Sequence, residues 1–184
     1  MRVTPYAVPC AAALAALAPA GALAVDYMTA EQAQKRMFPE ATAFELRDLP
    51  LDAALAQQLA AAGVKPQAQR LPVRLARQGG AALGYVVVDE VIGKFERITY
   101  AVGVNADGSV RQVEVLSYRE SHGHEIRLPA WRKQFVGKTA ASPLQVGDDI
   151  ANISGATLSC THVTDGVRRV VVWLDLLRRA GKLA

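Results

Sequence analysis

Ile98-Thr99-Tyr100-Ala101-Val102-Gly103-Val104-Asn105-Ala106-Asp107-Gly108-Ser109-Val110-Arg111-Gln112-Val113-Glu114-Val115-Leu116 sets two β-branched runs on either side of an Asn-Ala-Asp-Gly turn. Such runs suit a pleated surface, and the glycine lets the chain reverse, so 98–104 and 110–116 are expected as the arms of an antiparallel hairpin. Working outward, 71–76 and 83–88 are two more short β-rich runs. Upstream of them, Thr29 and Gln32 can cap a short helix that ends before Pro39, while Asp52 opens a second helix in which Leu55 and Leu59 recur and Gly63 offers a left-handed stop. Downstream, a polar loop over 117–127 leads to a short helix predicted from Pro129 to Phe135. The last helix is the best marked: Val163, Val167, Val170, Val171, Leu174 and Leu177 share one face, with Arg168, Arg169, Asp175, Arg178 and Arg179 expected mostly elsewhere. The fold class is therefore α+β: a single domain with an antiparallel sheet, flanking helices and a long C-terminal amphipathic helix.

The chain starts with a different kind of segment. Arg2 precedes an apolar stretch over 6–17, and Ala22-Leu23-Ala24 places small residues at a cleavage site. Residues 1–24 read as a signal peptide and 25–184 as the domain, with export to the periplasm expected. The apolar core is shorter than the roughly 20 residues that span a bilayer, and Pro9 and Pro19 interrupt it. Loss of Arg2 takes the formal charge from +4 to +3, with basic and acidic residues interspersed, so no nucleic-acid partner is expected. Cleavage leaves Cys160 as the only cysteine, and an internal disulfide is excluded.

Ser154-Gly155-Ala156-Thr157-Leu158-Ser159 stands just before the long helix, where backbone N–H groups lack helical partners. Gly155 admits close approach, Ala156 adds little bulk, and the helix dipole favours an anion, so a phosphate could sit against Gly155, Ala156 and Leu158. Ser154, Thr157 and Ser159 could equally be plain helix caps.

Ser154-Gly155-Ala156-Thr157 resembles the flavinylation motif of the FMN-binding domain family, which includes the C and G subunits of sodium-pumping NADH:quinone oxidoreductase and Rnf complexes and many small exported domains. Gly84-Tyr85, Asp107-Gly108, Glu114-Val115-Leu116, Tyr118-Arg119-Glu120 and Gln134-Phe135-Val136-Gly137-Lys138 extend the resemblance, whose most specific part is 84–170. It implies FMN as cofactor, esterified through its phosphate to Thr157 by a flavin transferase that uses FAD. Where the family has Asp three residues before the motif, Ala151 stands here, with Asp148 and Asp149 just upstream; noncovalent FMN is the alternative this departure leaves. The loop Glu120-Ser121-His122-Gly123-His124-Glu125 is similar to the family's loop at the flavin ring edge. The resemblance thus implies ring contacts from Glu120, Ser121, Gly123, His124 and Glu125, although the loop taken alone reads as a polar chain reversal.

His122, His124, Cys160 and His162 carry metal-ligand chemistry, but their spacing fits no finger pattern and no metal is expected. Nothing resembles a nicotinamide fingerprint or a paired-acid catalytic centre. The reading is an exported electron-transfer relay that exchanges electrons with a membrane redox protein. The alternatives are an exported flavin reductase acting on a small oxidant, or a cofactor-free binding domain of the same fold.

Overall fold

A computed structural model describes residues 25–183; the expected signal peptide at 1–24 lies outside the described residues. The chain runs β1 (Val25–Asp26), α1 (Ala30–Met37), β2 (Ala43–Pro50), α2 (Ala53–Ala61), β3 (Arg70–Gln78), β4 (Ala81–Ile92), β5 (Arg97–Asn105), β6 (Val110–Tyr118), α3 (Pro129–Arg132) and α4 (Thr157–Arg179). The strands form one six-stranded sheet in the order β1-β6-β5-β4-β3-β2, antiparallel at every pairing.

Local chemistry explains most of these boundaries. Thr29 and Gln32 form a reciprocal capping box on α1. Asp52 accepts from the Leu55 amide at 2.8 Å to open α2. That helix closes with Gly63 at φ 68 and paired bonds from Gly63 N to Ala60 O and Val64 N to Leu59 O. The expected helix from Pro129 to Phe135 divides into α3 and a 3₁₀ turn over Lys133–Phe135.

β2 goes beyond the four expected strands. Its residues are mostly exposed, because it is an edge strand, and its outward faces carry Glu45, Arg47 and Asp48 in place of an apolar alternation. Arg77 reaches Glu45 at 3.0 Å and Arg70 pairs with Asp48, so the edge is charged and guarded against further pairing.

The sheet is covered on both faces. On one, α1 lays Ala33, Met37 and Phe38 against Ala76, Val86, Ala101 and Leu116. There Gly84 is required, since a Cβ would stand 2.7 Å from the Phe38 ring and 2.3 Å from Val104 O. On the other face, α2 and α4 cover Val73, Val87, Tyr100, Val102 and Val113. α4 buries a broader face than its valine stripe implies. Arg169 and Asp175 are buried as well, each paired: Arg169 with Asp89 at 2.5 Å, Asp175 with Arg178 at 2.8 Å and Arg179 at 2.7 Å. Trp131 and Trp173 are core residues. Among the described residues no helix is long and apolar enough to cross a membrane.

α4 meets the sheet most closely at Gly166, where a Cβ would fall 1.8 Å from the Tyr100 hydroxyl oxygen. Gly166→Ala is expected to destabilise the fold by about 2 kcal/mol, the scale of overpacking a filled core. Combining it with Tyr100→Phe, which deletes the atom that is struck, is expected to cost less than the sum of the two single changes. Equilibrium urea unfolding of the three variants measures both.

Candidate functional site

α4 begins at Thr157, and its N-cap is Ala156, which has no side chain able to cap it. Ser154, Thr157 and Ser159, each a possible cap in sequence, leave that role unfilled. Gly155 at φ 81 turns the chain, Ala156 N donates to Ile153 O at 3.0 Å, and the first helical bond runs from Cys160 N to Ala156 O at 2.9 Å. The amides at the head of this 23-residue helix are therefore left without a side-chain acceptor, at the positive end of its dipole.

The loop after β6 is fastened to this turn. The Tyr118 hydroxyl donates to His122 O and lies 3.2 Å from Ser159 Oγ on α4. Gly123 takes φ 87, and a Cβ there would lie 2.3 Å from the Ala156 Cβ and 2.7 Å from Tyr118 Oη. Any larger residue would push the loop off the helix start.

Glu120 does a job the sequence did not indicate. Its Oε1 accepts the Phe95 amide at 2.6 Å and the Glu96 amide at 2.9 Å, pinning the tip of the β4–β5 hairpin. The pinned tip presents Lys94 and Phe95, with the Lys94 ammonium 4.9 Å from the Phe95 ring centre and Phe95 itself 74% exposed. Together these parts enclose a cleft of about 400 Å³, with Gly155 to Ser159 on one wall and Lys94, Phe95, Glu120, Ser121 and His122 on the other.

Of the residues expected at the site, Gly155, Ala156, Thr157, Leu158, Glu120 and Ser121 line this cleft. Gly123 is buried behind it, and Ser154 is exposed on the approach to the turn. His124 and Glu125 begin a 3₁₀ turn outside the lining, the His124 ring standing edge-on to Tyr118 at 6.4 Å. Lys94 and Phe95 were missed by sequence reasoning; the available signal was an aromatic at a hairpin tip, where no core period calls for one. Cys160 is buried, its thiol pKa pushed up by burial, and His162 Nδ1 lies 2.5 Å from Ile92 O. Among the described residues no group of three or more His, Cys, Asp or Glu side chains is placed to hold a metal.

The segment leading into the turn is rigidly built. Leu144 takes φ 47, unusual for a non-glycine residue. Asp149 accepts from the amides of Leu144 at 3.2 Å and Gln145 at 2.8 Å and pairs with Lys138 at 2.8 Å. Burial raises the Asp149 pKa, but Lys138 and the two amides outweigh it and the net shift is downward. With both oxygens committed there, Asp149 does not stand in for a carboxylate at position 151. The exposed Ala151 is held by its backbone, donating to Gln134 Oε1 at 2.7 Å and accepting from Trp131 Nε1 at 2.8 Å.

This arrangement defines an α+β domain with an uncapped helix head beside an open cleft. Residues 93–172 match the model of the FMN-binding domain family; the match begins at the Lys94–Phe95 hairpin tip and runs through the turn into α4. FMN is the cofactor of that family, and the cleft fits it: uncapped amides for the phosphate, and a volume within the roughly 300–1,000 Å³ of small-molecule sites. The chain is 31% identical over 118 residues to the G subunit of the ion-translocating oxidoreductase complex from Aliivibrio fischeri strain MJ11, and 30% identical to its counterpart from strain ATCC 700601 / ES114. In each case 56% of this chain is covered, and it spans about half (55%) of the relative's length. The crystal structure of Shewanella oneidensis NqrC superposes with a TM-score of 0.51 at 17% identity, covering 79% of this chain and 88% of that one, which establishes the likeness of fold.

Burial raises the Tyr118 pKa and raises that of Tyr100 well above the ordinary tyrosine value, Asp89 adding to the latter. The folded state thus holds these protons after the unfolded chain, with tyrosines near about pH 10, has released them. Stability from this source is complete below about pH 10 and falls as pH rises above it. Tyr118→Phe is expected to make that alkaline decline shallower while costing about 1 kcal/mol at neutral pH through the lost bond to His122. Urea unfolding across the alkaline range measures the slope.

Proposed function

We propose that this chain is an exported electron-transfer relay that carries FMN esterified through its phosphate to Thr157. The observation that carries the reading is the meeting of two segments distant in sequence. Gly123 of the loop packs on Ala156 of the turn, so Glu120 and Ser121, expected at the ring, line one cleft with Gly155 to Leu158, expected at the phosphate.

FMN, when bound, accepts and releases electrons singly or in pairs. The chain's residues bind and orient it. The amides around Gly155 to Ser159 face the phosphate and Thr157 Oγ1 supplies the ester oxygen. Leu158, 46% exposed, and Phe95 offer apolar surface to the ring. Lys94 places a cation at the same rim. A relay needs no catalytic base, but it does need a ring edge that a protein can reach, and this cleft lies open on the surface. Esterification serves a protein outside the cytoplasm, where a dissociated cofactor is lost to dilution. Maturation requires a flavin transferase, and the electrons come from or go to a membrane redox protein.

Co-expression with a flavin transferase is expected to add one FMN to wild type and to Ser159→Ala, retained through denaturation, a smaller fraction to Thr157→Ser and none to Thr157→Ala. Intact mass and in-gel flavin fluorescence report it, and label kept by folded Thr157→Ala rules the assignment out. Export predicts a mature N-terminus near Val25 in the periplasmic fraction, read by N-terminal sequencing; recovery of Met1 in the soluble cytoplasm overturns that part alone.

A further inference from the structure

Asn152 precedes Thr157 by five residues, yet its side-chain Nδ2 stands 3.1 Å from Thr157 Oγ1. The turn between them is held at both ends. Ahead of it, both backbone polar groups of Ala151 are tied, to Gln134 and to the buried Trp131. Behind it, Ala156 N bonds to Ile153 O. Asn152 is thereby set to span the turn. Thr157 also separates two depressions: the cleft of about 400 Å³ and a second of about 690 Å³ on its other side, lined in part by Asn152, Thr161 and the 143–147 segment. An exposed hydroxyl at such a ridge has no packing to choose its direction. Among the described residues, the Asn152 amide is the side chain that hydrogen-bonds it.

We propose that Asn152 is a positioning residue for covalent flavin attachment, its amide donating to one lone pair of Thr157 Oγ1 so that the other lone pair faces the incoming phosphorus. This rests on the reading of Thr157 as the ester acceptor. The step it serves is a phosphoryl-group transfer from FAD. The bond from Oγ1 to the flavin-side phosphorus forms, the pyrophosphate P–O bond breaks, AMP leaves, and the hydroxyl proton passes to the leaving phosphate; no electrons change hands. An amide suits the task. It donates at every pH, and unlike a carboxylate it brings no negative charge toward the phosphate. Misdirection of a reacting oxygen costs rate without preventing reaction, so the effect belongs in the rate of attachment and not in its end point.

The test is a time course of intact mass for the full chain with purified flavin transferase and FAD. Asn152→Ala is expected to reach one FMN per chain, as wild type does, at an initial rate about five- to tenfold lower, with an unchanged urea midpoint. Thr157→Ser supplies the discriminating background. Serine lacks the γ-methyl that restricts χ1, so removal of Asn152 is expected to slow Thr157→Ser by a distinctly larger factor than it slows wild type. Equal rates for wild type and Asn152→Ala overturn the proposal. So does an equal factor in both backgrounds, the signature of a general disturbance of the turn. A wild type that gains no FMN mass, or a Thr157→Ala chain that does, overturns the acceptor reading and the role of Asn152 with it.

Discussion

The hydroxyl of Tyr100 and the bare Cα of Gly166 leave no room for another atom between sheet and helix, and that closeness fixes where α4 lies. The same hydroxyl donates to Asp89 at 2.7 Å, and Asp89 holds Arg169 one turn further along the helix. Steric fit and a part-buried charge pair thus lock the helix in a single register along β4 and β5. At a rise of about 1.5 Å per residue, Thr157 then falls roughly 14 Å from Gly166, level with the β4–β5 hairpin tip and the end of β6. The three parts of the cleft meet because one helix cannot slide.

A second line of contacts fixes the turn from the opposite face. Glu114, nearly fully buried on β6, pairs with Arg132 at 2.6 Å. Arg132 also donates to Val113 O at 2.7 Å, which ties α3 to the sheet. α3 carries Trp131, and Trp131 holds Ala151. Removing Glu114 would leave the largely buried Arg132 guanidinium without its carboxylate, so the disturbance would reach the turn although Glu114 touches nothing in the cleft.

What the sequence made legible was local. The Thr29–Gln32 box, the Asp52 cap and the Gly63 stop are written within a few residues, and the structure has each in place. β2 was illegible because an edge strand has little to bury, so charged residues replace the alternation that marks a strand. The same division holds at the site. Ser154-Gly155-Ala156-Thr157 carries its conformation with it, as a glycine turn ahead of an apolar helix. The place of Lys94 and Phe95 depends on Glu120, whose carboxylate reaches across to the hairpin amides. No spacing in the chain records that bond. Arg169 was read as an outward charge for a related reason: its partner, Asp89, comes from a strand far away in sequence.

Cys160 sits within the first turn of the helix whose head faces the cleft, yet it is sealed from solvent. A helix head ordinarily encourages a thiol to ionise. Here burial prevails and pushes the thiol pKa up. A thiolate would be a nucleophile at the edge of the cleft and an easy target for oxidants. By keeping the sulfur as a small apolar filler, the fold places a cysteine next to the cleft wall and leaves it chemically silent.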